Sequence, residues 1–132
     1  MAFYRTGGGG ALSETTLWTN PSPTSAQGET TISLSESFKN FKLVRFYYKI
    51  SKSSSSEFYT DYLSEMVEQA TQNLNKAIPA FMVFPTSGGV ASYCRSIRYV
   101  SDTSFIIKPA YALNAVAKNN DLAIITKICG LK

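Results

Sequence analysis

Residues 41–51 read Phe41-Lys42-Leu43-Val44-Arg45-Phe46-Tyr47-Tyr48-Lys49-Ile50-Ser51, and they decide the fold. Successive side chains of an extended chain point to opposite sides, so Val44, Phe46, Tyr48 and Ile50 share one face and Leu43, Arg45, Tyr47 and Lys49 the other. Aromatic and β-branched residues suit such a pleated, half-buried surface. The first set reads as a face turned to a core. The second is amphipathic: it suits a neighbouring subunit or a ligand, or it is solvent-facing decoration in which long Arg and Lys stems lie over tyrosines. The serine-rich run Ser51-Lys52-Ser53-Ser54-Ser55-Ser56 closes the strand as a turn.

Working outward, the same signals recur at turn-marked spacing. Thr15 to Trp18 is short, β-branched and aromatic, and Asn20-Pro21-Ser22-Pro23 stops it, so it reads as an edge strand with Trp18 as a core plug. Thr30-Thr31-Ile32-Ser33-Leu34 alternates with Ile32 and Leu34 on one side. Further strands are expected at Glu57 to Tyr62, Ala80 to Phe84, Ala91 to Val100, Ser104 to Lys108 and Leu122 to Cys129. Pro85-Thr86-Ser87-Gly88-Gly89, Ser101-Asp102-Thr103 and Lys118-Asn119-Asn120-Asp121 supply turns between them. Leu63, Val67, Ala70 and Leu74 fall at helical spacing, which predicts one short helix over about 62–74, with a long polar loop as the alternative. The fold class is therefore all-β, a β-sandwich or jelly roll of seven or eight strands. Residues 11–132 form the single domain, and no internal repeat points to a propeller or solenoid.

Composition narrows the chemistry. Among 132 residues there is no histidine, which removes Ser-His-Asp and Cys-His catalysis and imidazole metal sites. The formal charge of +4 is spread along the chain without a basic block, so no nucleic-acid partner is expected. Cys94 and Cys129 lack a CxxC context; with no signal peptide ahead of them, two free thiols are expected, with a disulfide as the alternative. No cofactor and no metal site is read from the sequence. No apolar stretch approaches the ~20 residues of a membrane-spanning helix. The nine carboxylates are scattered, mostly in turns and on the helix face; a small carboxylate glycoside hydrolase is the remaining enzymatic alternative. Tyr93, Arg95 and Tyr99 alternate along one strand as Arg45 and Tyr47 do along another, and Tyr-Arg surfaces are a common means of recognition. Leu43, Arg45, Tyr47, Tyr93, Arg95 and Tyr99 are therefore the candidate oligomer or ligand face.

Met1 to Gly10 has too little apolar content to form a core of its own, and Gly7-Gly8-Gly9-Gly10 costs much backbone entropy to order. It reads either as a frayed terminus or as an arm on which Phe3, Tyr4 and Arg5 anchor the body to another protein. The glycines lead into Thr16-Leu17-Trp18-Thr19-Asn20-Pro21-Ser22-Pro23-Thr24-Ser25, then Thr30-Thr31-Ile32-Ser33-Leu34-Ser35 and Phe41-Lys42-Leu43-Val44-Arg45-Phe46, and the chain closes on Ile124-Ile125-Thr126-Lys127-Ile128-Cys129-Gly130-Leu131-Lys132. In these stretches the chain resembles short bacteriophage virion proteins of the tail-fibre or receptor-binding type. That resemblance covers the first third and last tenth of the chain; residues 57–75 depart from it. It implies a virion location, homotrimers, contact with other virion proteins through the arm, and a host-facing or structural role without catalytic residues. The host contact would be a surface glycan or protein; a capsid decoration or head-fibre protein is the alternative.

Overall fold

The computed structural model describes residues 12–72, 78–83, 93–112 and 118–132. Among the described residues, eight strands form two four-stranded antiparallel sheets. They are β1 (Glu14–Thr19), β2 (Thr30–Ser33), β3 (Leu43–Ser51), β4 (Phe58–Leu63), β5 (Ile78–Val83), β6 (Tyr93–Ser101), β7 (Ser104–Ala112) and β8 (Leu122–Leu131). Sheet A has the order β1-β8-β3-β4, and sheet B the order β2-β7-β6-β5. The first and last strands thus pair in one sheet, while the second pairs with the next-to-last in the other. An all-β sandwich is the result, as the alternation predicts.

The core lies between the sheets because each contributes the apolar side of its alternation. Val44 and Phe46 of β3, Ile125 and Ile128 of β8, and Leu17 of β1 meet Ile32, Ile97, Phe105 and Ile107 from sheet B. Tyr48 and Ile50 pack against this cluster, so the inward face of β3 is the one expected. Ile32 and Leu34 are buried together, and β1 is an edge strand. Trp18 packs on the core but stays half-buried. A register shift between Thr16 and Trp18 turns Leu17 inward as well, and Leu17 fills the position expected of Trp18.

Two local features differ from the expectation. β3 begins at Leu43, because Phe38–Asn40 forms a 3-10 turn, capped by the Ser37 hydroxyl, which accepts from the Lys39 N–H. That turn buries Phe38 against Phe105 and Tyr99. The helix α1 spans Ser64–Gln72, and Val67 is its buried contact with the core. Leu63, expected on the helical stripe, instead ends β4 and is exposed, whereas Ser64 is buried and donates its hydroxyl to the Phe41 carbonyl at 2.6 Å. Leu74, the Pro85–Gly89 turn and the arm residues Phe3, Tyr4 and Arg5 lie outside the described residues.

At Gly130, in β8, the side chain of Phe41 from the turn before β3 comes unusually close. A methyl group there would stand 2.3–2.7 Å from the Phe41 ring, so the aromatic face lies directly on the glycine. Only a residue without Cβ permits that approach.

Arg95 joins the two sheets. Its guanidinium is fully buried and donates four hydrogen bonds to backbone carbonyls: Nε to Ala123 at 2.6 Å, Nη1 to Gln27 at 2.9 Å and to Lys108 at 2.8 Å, and Nη2 to Leu122 at 2.9 Å. Two of these carbonyls belong to β8 of sheet A and one to β7 of sheet B. Burial pushes the guanidinium down to about 10, which leaves it cationic at neutral pH. This corrects the surface role expected of Arg95. Gln27 extends the joint by exchanging two side-chain hydrogen bonds with the Ile125 backbone, at 2.9 and 3.2 Å, as a neighbouring strand would.

Candidate functional site

The outer face of sheet A is built by cross-strand register. Arg45 on β3 stands opposite Asp61 on β4 and Cys129 on β8; Tyr47 stands opposite Tyr59 and Lys127. Each row therefore places a cation, a carboxylate or a ring side by side, at the spacing where cross-strand pairs interact. Arg45 grips Asp61 with both arms of its fork, Nε to Oδ1 at 2.7 Å and Nη2 to Oδ2 at 3.0 Å. Its Nη1 reaches Glu14 on β1 at 3.4 Å. The guanidinium carbon lies 3.9 Å from the centre of the Tyr59 ring, a stacked cation–π contact.

Tyr47 is held just as firmly. Its hydroxyl donates to the Glu14 carboxylate, its ring centre is 5.7 Å from that of Tyr59, and the Lys127 ammonium sits 4.3 Å above it. The phenol is held above its ordinary range, chiefly by burial and also by Glu14. Arg45 is shifted further upward by its bonds to Asp61. Both stay in their usual forms at neutral pH. With Glu14 and Asp61 each committed to a partner, the face presents fixed rings and charges. Tyr59, on the edge strand β4, remains 42% exposed.

Compared with protein-family models and with curated proteins, the chain matches none. What the site can do thus rests on its own geometry.

The expected recognition set divides. Leu43, Arg45 and Tyr47 lie on this face, although Leu43 is buried, at 7% exposure, between Leu63 and Leu131. Tyr93, Arg95 and Tyr99 do share a face of β6, but it is the inward one: both tyrosines pack on the core and Arg95 is sealed beneath it. Tyr99 donates its hydroxyl to Asp102 at 2.8 Å. These three cannot form one surface with Arg45 and Tyr47, so the site contracts to the outer side of sheet A. Tyr59, Glu14, Asp61 and Lys127 complete it. None was singled out from sequence; the signal that finds Tyr59 is the β3–β4 hairpin register, which sets it opposite Tyr47.

Beside this face, a cleft of about 480 Å³ opens at the end of the sheet, lined by Thr19, Asn20, Pro23, Lys49, Ser54, Ser55, Glu57, Thr126 and Lys127. Its floor carries Lys49, only 9% exposed, whose ammonium donates to the Lys52 carbonyl at 3.1 Å. The Thr126 hydroxyl donates to Glu57 at its rim. Among the described residues, no three His, Cys, Asp or Glu side chains converge as a metal-binding group. Cys94 and Cys129 are free thiols on opposite sheets. Cys129 lies under the face beside Arg45, and burial, reinforced by Glu14, pushes its thiol up to about 11.

Proposed function

We propose that this chain is a non-enzymatic virion structural protein of the tail-fibre or receptor-binding type, and that the outer face of sheet A contacts the host cell surface. The observation that carries the reading is the Arg45–Tyr59–Tyr47–Lys127 stack. Asp61 and Glu14 hold Arg45 and Tyr47 before any partner arrives, and Tyr59 and Lys127 pack on those two, so less side-chain entropy remains to be lost on binding. Rigid tyrosines and a stacked arginine supply contact area of the kind that dominates recognition surfaces. The resemblance of residues 16–25, 30–35, 41–46 and 124–132 to short phage virion domains supports the same reading, and with it a virion location and a homotrimer.

In that assembly the face points outward, since Leu43 and Arg45 are already covered by their own chain and need no neighbouring copy to shield them. The test is binding of fluorescently labelled protein to a panel of intact bacteria. Saturable binding to at least one strain, weakened about tenfold in Tyr59→Ser at unchanged thermal stability, is the expected result. Binding to no strain, or equal binding by the variant, refutes it. Light scattering is expected to give a trimer for wild type and for Tyr47→Asp; a monomeric wild type rejects the assembly, and a monomeric Tyr47→Asp makes this face a subunit contact instead.

A further inference from the structure

The cleft beside the tyrosines has a feature that the contact face alone does not require. A lysine ammonium carries three donors and a full charge, and burying it is costly unless it is paired. Lys49 is nine-tenths buried, yet its one hydrogen bond is to a neutral carbonyl, that of Lys52, and among the described residues no carboxylate forms an ion pair with it. Lys52 itself is engaged with Asp121 at 3.2 Å. The Lys49 side chain lines the cleft together with Lys127, so two cations border the space against the single carboxylate of Glu57.

The remaining lining is what a polyhydroxylated ligand needs. Ser55 and Thr126 bring hydroxyl groups, and Glu57 can accept from sugar hydroxyls. Lys127 belongs both to the cleft and to the stack over Tyr47, so the cleft runs directly onto the ring pair Tyr47–Tyr59. Arg45 and Lys127 each cover one side of these rings, and the second side of a ring is a flat face on which the C–H surface of a sugar can rest.

We infer that the cleft binds a carboxylated sugar residue of a glycan, its carboxylate paired with Lys49 and Lys127, while the adjoining sugar lies on Tyr47 and Tyr59. This rests on the host-contact reading and names the chemistry of the ligand. The pairing supplies the anion that Lys49 lacks. It also sets a preference for acidic over neutral chains that the tyrosines alone cannot provide.

The test uses a glucuronate-containing oligosaccharide and its carboxyl-reduced form of equal length, titrated into isotopically labelled full-length protein and followed by NMR shifts. Tenfold or tighter binding of the acidic form is expected, with shifts at Lys49, Thr126, Lys127, Tyr47 and Tyr59. Lys49→Met should erase the preference while keeping the melting temperature. If that variant does not fold, Lys127→Met carries the test and should lower the preference at least threefold. Equal binding of both forms, with shifts at the tyrosines alone, overturns the cleft assignment and leaves the contact face standing. Binding of neither form overturns it too, while the whole-cell assay judges host contact separately. Inorganic phosphate provides the final arm: displacement of the acidic oligosaccharide only at far higher concentration is expected. Phosphate binding as tightly as the oligosaccharide would make the cleft a simple anion site and overturn the inference.

Discussion

Replacing Arg95 with methionine should be among the most damaging single changes outside the apolar core. The methionine stem occupies much of the arginine's path but donates nothing, so the carbonyls of Ala123, Gln27, Lys108 and Leu122 each lose a donor. The bonds to Ala123 and Gln27 are the buried ones, and an acceptor left unsatisfied there costs about 1–3 kcal/mol each. Against that stands the relief of no longer burying a cation, which for truncated buried charges leaves a net loss of about 3–5 kcal/mol. We expect about 3 kcal/mol, near the lower end, because carbonyls rather than a carboxylate are left behind. With a urea m-value of about 1.5 kcal/mol/M, the unfolding midpoint should fall by about 2 M. Arg95→Lys should lie between, since three ammonium donors cannot reproduce a planar fork over four carbonyls. A midpoint for Arg95→Met within about 0.5 M of wild type would refute the joint between the sheets.

Gly130→Ala drives a methyl group into the Phe41 ring and should cost about 1–3 kcal/mol in urea unfolding; combined with Phe41→Leu the penalty should shrink, whereas strictly additive costs would show that the close approach is unimportant. In the folded protein the Cys129 thiol keeps its proton up to about 11 against an ordinary value of 9.0, while the unfolded chain releases it earlier. Stability is therefore fully present below pH 9 and is lost as pH rises toward 11, with Tyr47, Tyr48 and Tyr62, all held upward mainly by burial, adding to the loss at higher pH. Unfolding midpoints measured across that range should fall less steeply in Cys129→Ala, and an identical slope would contradict the assignment. The native Cys129 thiol should also resist iodoacetamide at pH 8, since it is both buried and protonated; rapid labelling would contradict its placement.

The alternation in β3 is readable because its two faces differ sharply: Val44, Phe46, Tyr48 and Ile50 are all apolar or aromatic, whereas Arg45 and Lys49 put two cations on the other side. On β6 the same rule grouped Tyr93, Arg95 and Tyr99 correctly but could not orient them. The inward side carries an arginine and two tyrosines, and the outward side carries the exposed Val100, so hydrophobicity barely separates the faces. The carbonyls that make the arginine acceptable come from Gln27, Lys108, Leu122 and Ala123, distant in sequence and brought together only by the completed sandwich. The partners of Arg45 were hidden for a related reason. Asp61 and Tyr59 sit on a strand whose existence was legible, but their place beside Arg45 and Tyr47 depends on the register through the serine-rich turn. A two-residue period is silent about register between strands.

Contact between the outer face of sheet A and the host surface is read out by whole-cell binding of Tyr47→Ser/Tyr59→Ser beside wild type. Both side chains lie outside the core cluster, so the double variant should fold and melt near the wild-type temperature. We expect saturable binding of wild type to at least one bacterial strain and about a hundredfold weaker binding by the double variant, from about 1.4 kcal/mol lost at each ring. Undiminished binding by a folded double variant would contradict it.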